Sequence, residues 1–397
     1  MLPTSNRHPK IVADTIQFFE QQFNQEPEAI YLSPGRINII GEHVDYNDGF
    51  VFPAAIDRYL CFAIQRSSNT HAKWVAKDLD ETFQWYPDRP LIPSDTVWAN
   101  YLLGVLHQLN IRGITVPPVD MVFSSSIPMG AGLSSSAALE CGFAFALNEL
   151  FDLGLEPIEI AKIGQQAEHV FVGVKCGIMD QYACVFGKQD QAILLDCHSL
   201  THQYFPADLG NCSLVLFDTG VKHTHLTSGY NERRKEVETG LKIIQQKYPL
   251  VHTYRDCTLE MLEDTKDELG LLLYKRCRFV VEEISRVQKA AIALKEKDYD
   301  LLGKIMTTTH QGLSEDYAVS CRELDFLVEQ VLQEEGVYGA RMMGGGFGGC
   351  TLNLIHLDEI ATLQDRLTKR YRESFGIELK SYLVNISKGV HRYSLMS

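Results

Sequence analysis

The segment VDMVFSSSIPMGAGLSSSAALECGFAFALNELF, residues 119–151, constrains the fold more than any other part of the chain. VDMVF (119–123) reads as a strand. From Ser135 onward, Leu139, Phe143, Ala146 and Leu150 recur at helical spacing and predict a helix with one buried stripe. Between them lies GAGLSSSA, Gly130–Ala137, so the order is strand, glycine/serine loop, helix. A helix amino-terminus presents unpaired N–H groups and about half a unit of positive charge. Glycine ahead of it lets the backbone come close to an anion, so such a loop can hold phosphate without a lysine. Ser134, Ser135 and Ser136 add hydroxyls that can cap the helix, bond phosphate oxygens or ligate magnesium. The loop is neither of the two commonest phosphate loops. Ser135 stands where the Rossmann fingerprint needs its third glycine, and the Walker lysine is missing. The same residues also suit an ordinary serine-capped helix, so the loop alone leaves both readings open.

With 397 residues the chain exceeds one ordinary core and is comfortable for two domains. The mix of 45% hydrophobic and 22% charged residues is that of a globular protein. A net charge of −14 argues against a nucleic-acid partner and leaves an anionic nucleotide possible only at a local electropositive site. Among the ten cysteines no two form a C-x-x-C pair, which points to reduced thiols. MLPTSNRHPK has no apolar core of a signal peptide, and no apolar run approaches the roughly 18–20 residues that span a bilayer. The expectation is a cytoplasmic protein with no membrane partner, most simply a monomer.

Further along, AILLDC (192–197) and THQYFP (201–206) read as paired strands and SLVLFDTG (213–220) as another. The second half is more helical. Val237, Leu241 and Ile244 mark one face of 230–248, and a further helix is expected over 322–335. Val280, Ile284, Val287, Ala291 and Leu294 mark an amphipathic helix in 278–297. MMGGGFGGCTLNLI (342–355) couples a glycine cluster to a strand. Mixed order without βαβ regularity predicts an α+β fold, with domains at 1–205 and 206–397.

Two further constellations carry chemistry. PGRINIIGEHVDYNDG (34–49) gathers Arg36, Glu42, His43 and Asp45 around Ile37–Ile40, a set suited to gripping a polyhydroxylated ligand, or equally to a polar turn between strands. In GIMDQYACVFG (177–187), Asp180 is one carboxylate among apolar residues: a helix cap, or a general base or anchor near a cation such as Arg36. CHSLTH (Cys197, His198, His202) resembles half a zinc site with no second half, and His223 and His225 read as ordinary loop or strand histidines.

Taken together, PGRINIIGEHVDYNDGFVFP, SSSIPMGAGLSSSAALE, CGIMDQYACVFGK, GYNERRKE and RMMGGGFGGCTLNL closely resemble the galactokinases, within the GHMP small-molecule kinases. The resemblance covers about 30–355 in the expected order. It implies a two-domain α+β fold with the active site in the cleft between domains. The implied reaction is ATP-dependent phosphorylation of α-D-galactose at its C1 hydroxyl, the entry step of the Leloir pathway. By similarity, Glu42, His43, Asp45, Gly177 and Tyr230 bind the sugar, with Asp180 beside the C1 hydroxyl and Arg36 stabilising the transition state. Gly130, Ala131, Gly132, Leu133, Ser134, Ser135 and Ser136 hold the ATP phosphates, Ser136 and Glu168 ligate Mg2+, and Trp98 lines the adenine pocket. Val44, counted with the sugar-binding residues, stands where most relatives carry threonine, which removes a hydroxyl between His43 and Asp45. Two alternatives are a kinase for a related sugar such as N-acetylgalactosamine, and a catalytically silent sugar sensor on the same fold. Such silent relatives lose residues of the serine-rich loop, which is complete here.

Overall fold

The structure, a computed structural model of the chain, describes residues 7–221 and 226–394. His223 and His225 lie outside the described residues. The strands, in chain order, are β1 Ala29–Asn38, β2 Phe50–Val51, β3 Pro53–Arg66, β4 Ala72–Ala76, β5 Glu81–Trp85, β6 Val119–Ser125 and β7 Gln191–Asp196. They continue with β8 Thr201–Pro206, β9 Cys212–Asp218, β10 Val337–Met342, β11 Cys350–His356, β12 Lys380–Leu383 and β13 His391–Arg392. A six-stranded sheet runs β13-β1-β3-β6-β4-β5, a four-stranded one β10-β11-β9-β12 and a three-stranded one β2-β7-β8. Every pairing is antiparallel except β4 with β6. That parallel pair needs a long crossover, which β5 and the helix Val97–Ile111 supply.

The strand, loop and helix of 119–151 form as their pattern predicts, with the helix over Ser135–Phe151. It departs from expectation in burying far more than one stripe. Ala137, Ala138, Cys141, Ala144 and Leu147 are buried alongside Leu139, Phe143, Ala146 and Leu150. The physical reason is position: the helix is wedged between the first sheet and the helices Val97–Ile111, Pro157–Ala167 and Met179–Phe186, so it is apolar on nearly every face.

In the second half, the helix expected over 278–297 starts earlier, at Lys266, and bends at Gly270, where φ is 66°. Its face Val280, Ile284, Val287, Ala291 and Leu294 is buried. The helix Leu226–Lys247 packs along it. Arg322–Leu332 and Ile360–Phe375 cover the four-stranded sheet through Leu327, Val331, Leu363 and Tyr371. One apolar cluster runs from Phe62 and Phe143 to Leu216, Val287 and Leu352, so the two halves share a continuous interior. The chain's end returns to the first sheet. Val390 N–H donates to the Cys184 carbonyl at 2.8 Å, and β13 pairs with β1. Among the described residues no helix is long and apolar enough to cross a membrane, and all ten cysteines are free.

Candidate active site

The end of β1 and the glycine/serine loop are tied together at Arg36. Its N–H donates to the Leu133 carbonyl at 3.1 Å. A Cβ at Gly35 would lie 2.7 Å from that same carbonyl oxygen, so only glycine lets the strand and loop meet. The Arg36 guanidinium, 4% exposed, then makes a two-pronged contact with Asp180: Nε to Oδ1 at 2.8 Å and Nη2 to Oδ2 at 3.0 Å. Its third nitrogen donates to the Gly132 carbonyl at 2.6 Å. Asp180 stands in the first turn of Met179–Phe186 and also accepts a hydrogen bond from the Ser134 hydroxyl. A charge-assisted bidentate pair of this kind fixes both partners in orientation. The carboxylate is left 27% exposed on a cleft of about 440 Å³.

One wall of the cleft carries the expected sugar residues. His43 is buried with a left-handed backbone (φ 61°). Its Nδ1 meets the Tyr46 hydroxyl at 2.8 Å, while Nε2 has no hydrogen-bond partner among the described residues. Burial pushes its pKa down to about 3, so the ring is neutral. Asp45 accepts from the Tyr46 N–H at 3.0 Å, and burial, with Asp180 repelling it, lifts its pKa to about 7. Its carboxylate lies where a Cβ on Gly177 would sit, 2.0 Å from Oδ2. Tyr230 closes this wall, its ring 5.3 Å from those of His43 and Tyr46. Glu42 reaches the cleft with both oxygens engaged, by Asn38 and Arg341 on one side and the Gly344 N–H at 2.9 Å on the other. Val44 is wholly buried in the apolar layer beneath and does not line the cleft.

The opposite wall is the loop. Gly130 and Gly132 have left-handed backbones, as does Ser134, which precedes the helix without capping it. The expectation that a serine caps this helix therefore fails at Ser134, whose hydroxyl goes to Asp180 instead. Gly130, Gly132, Leu133, Ser134, Ser135 and Ser136 line the cleft, and Ala131 is buried behind them. Glu168 faces Ser136 and accepts from Gln181 Nε2 at 3.2 Å. Burial, with repulsion from Asp180, raises its pKa to about 7. Behind it Glu140, wholly buried, accepts from the same Gln181 amide at 3.3 Å and is pushed up by burial and by Glu168. Trp98 lines an adjoining apolar recess of about 290 Å³ together with Tyr101, Phe123, Ile127, Ser135 and Ser136. The indole N–H is held by Glu81 at 2.6 Å.

Sequence reasoning did not single out Tyr46, Tyr101, Glu140, Gln181, Tyr317 or Arg341. Tyr46, Glu140, Gln181 and Arg341 all stand inside the segments that carry the motifs: beside Asp45, after the serine loop, beside Asp180 and directly before the glycine cluster. Tyr101 and Tyr317 act through contacts that no local pattern encodes. The half-site CHSLTH does not converge. Cys197 is buried, His198 lies 3.9 Å from Asp48 Oδ1, and His202 Nδ1 meets the Tyr182 hydroxyl at 2.7 Å.

Residues 17–66 match the galactokinase galactose-binding signature, 100–188 the GHMP kinases N terminal domain and 290–373 the GHMP kinases C terminal region. The chain is similar to the galactokinase of Thermotoga maritima, 42% identical over 360 residues that cover 91% of this chain and 99% of that one. It is also similar to the galactokinase of Clostridium perfringens, 36% identical, with 94% and 97% covered. Among solved structures, Lactococcus lactis galactokinase complexed with galactose superposes with a TM-score of 0.90 at 31% identity, covering 95% of this chain and 98% of that one. Methanococcus jannaschii mevalonate kinase shares the fold alone, with a TM-score of 0.64 and 19% identity over 90% and 98% of the two chains.

Proposed function

We infer the function from the premise that this chain belongs to the galactokinases of the GHMP kinase family. It phosphorylates galactose with ATP as co-substrate. We place the transfer at the C1 hydroxyl, beside Asp180. One observation carries this: the Arg36–Asp180 pair stands where a wall of sugar-type hydrogen-bonding groups meets a serine-bearing helix terminus.

Phosphoryl transfer asks mainly for in-line positioning and for positive charge around the transferred group. In this reading, Asp180 receives the hydrogen bond of the attacking hydroxyl and orients or deprotonates it. Arg36 holds Asp180 in place and adds positive potential at the point of transfer. The N–H groups opening the helix Ser135–Phe151 take the phosphate oxygens. His43, Asp45, Gly177 and Tyr230 select the sugar, and Trp98 with Tyr101 floors the recess for the base.

A divalent cation fits the donor set at Ser136 and Glu168. A hydroxyl and a carboxylate are hard oxygen ligands, and Mg2+ at nucleotide sites takes few protein ligands and completes its shell with phosphate and water. Glu168 and Glu140 also form a buried acidic pair with only an amide between them. When bound there, Mg2+ supplies charge neutralisation for the phosphates. We further propose a domain boundary at 205/206, with the tail 384–392 returning to the first sheet, and a cytoplasmic setting suited to the ten free thiols.

The test is a sugar panel with ATP, followed by ADP release. Galactose is turned over well, and N-acetylgalactosamine poorly or not at all. Binding of sugar and ATP without ADP release would instead establish a silent sensor.

A further inference from the structure

Two tyrosines beside the sugar wall have no part in the reaction as described. Tyr317, wholly buried, sets its hydroxyl 2.9 Å from that of Tyr46, which in turn lies 2.8 Å from His43 Nδ1. The Tyr317 and His43 rings pack 4.9 Å apart, so the three groups form one short hydrogen-bonded chain ending at the cleft. At that end the buried Nε2 of His43 has no partner. The Gly345 backbone beside the ring pulls the imidazole pKa upward against burial.

Three proton arrangements satisfy both contacts. In one, Tyr317 donates to Tyr46, Tyr46 donates to Nδ1, and the imidazole proton sits on Nε2. In the second, Nδ1–H donates to Tyr46, Tyr46 donates to Tyr317, and the Tyr317 proton is left over; in the third, Tyr317 and Nδ1–H both donate to Tyr46, and the Tyr46 proton is left over. Among the described residues the Tyr317 hydroxyl has no hydrogen-bond partner other than Tyr46, and a buried donor without an acceptor is costly. Only the first arrangement uses every hydroxyl proton, and it puts the imidazole proton on Nε2; the Gly345 backbone, which favours a proton on the ring, lines the cleft with His43.

We propose that Tyr46, anchored by Tyr317, is a positioning residue that fixes His43 in its Nε2–H tautomer, so that the sugar site presents a hydrogen-bond donor there. The inference rests on reading this cleft as the galactose site. The depressed pKa of His43 agrees with it, because only a neutral imidazole has a tautomer to fix. The sugar oxygen facing His43 is then an acceptor, and its own hydroxyl proton is free for a carboxylate such as Asp45.

The experiment is nitrogen-15 NMR on sugar-free, histidine-labelled full-length protein, with the His43 signals assigned by loss in His43→Asn. The account expects a protonated, pyrrole-type Nε2 and a bare, pyridine-type Nδ1. The reverse assignment overturns it. Tyr46→Phe should then turn the His43 signals into a tautomer mixture. It should raise the galactose KM about five- to tenfold, the worth of one hydrogen bond, with kcat and the ATP KM close to wild type. An unchanged tautomer together with an unchanged galactose KM overturns the role of Tyr46. Should Tyr46→Phe not fold, the wild-type spectrum still decides the matter. Failure of the wild-type protein to phosphorylate galactose would sink the functional reading while leaving the tautomer measurement to stand or fall by itself.

Discussion

Replacing Glu168 by glutamine tests whether the floor of the phosphate site is built around a cation. Glu168 is 8% exposed, and burial, with repulsion from Asp180, moves its pKa from 4.5 to about 7. A carboxyl that is harder to ionise in the folded than in the unfolded state destabilises the fold wherever it must be charged. Below pH ~4.5 both states hold the proton and nothing is lost. As pH rises toward 7 the unfolded chain releases its proton first, and stability falls by about 1.4 kcal/mol per unit. The whole effect is about 3 kcal/mol and is complete somewhat above pH 7. Glu168→Gln removes this penalty and keeps the shape and an acceptor for Gln181. Urea denaturation of both proteins without ligand, from pH 5 to 8, should show the variant gaining on wild type by about 2–3 kcal/mol across that range, the first part of the effect being already spent at pH 5. Mg2+ with ATP should stabilise wild type at pH 8 far more than the variant. A difference between the two proteins that is flat with pH, or that runs the other way, would refute the reasoning.

Asp180→Asn keeps the shape of the side chain and removes its charge. It should lower kcat by roughly 10²–10⁴-fold with the ATP KM nearly unchanged, as read by coupled ADP release. Arg36→Ala should lower kcat more than it raises either KM, the mark of a contact made mainly in the transition state. A change confined to KM would make Arg36 a ground-state binder. Gly177→Ala drives a methyl group against the Asp45 carboxylate, 2.0 Å away, and should raise the galactose KM on the order of tenfold while sparing the ATP KM. Equal galactose affinity in that variant would remove Asp45 from the sugar contacts.

The parts legible in the sequence are those whose signal is local. The strand–loop–helix of 119–151, the β7–β8 pair and the helix carrying Val280 through Leu294 follow from periodicity and glycine placement. The Arg36–Asp180 contact was reachable because each residue is a lone charge in an apolar setting that needs a partner. Long-range pairings were not legible. Nothing in HRY (391–393) announces that this short, polar stretch caps β1, more than three hundred residues earlier. The parallel β4–β6 contact depends on a crossover whose direction only the packed sheet fixes. Glu42 looks from sequence like a free sugar ligand, yet the wholly buried Arg341, from the far end of the chain, takes one of its oxygens. Val44 looks like a site residue because its neighbours are, and its side chain turns down into the core. The tyrosine chain behind His43 joins residues 271 positions apart.

The central claim is that main-chain amides at the start of the helix Ser135–Phe151, without a lysine, hold the ATP phosphates opposite Asp180. A crystal structure with galactose and a non-hydrolysable ATP analogue tests it most directly. It should show phosphate oxygens on the N–H groups of Gly130–Ser136 and the galactose C1 hydroxyl turned toward Asp180. Phosphates bound elsewhere in the cleft, or a C1 hydroxyl facing away from Asp180, would contradict it.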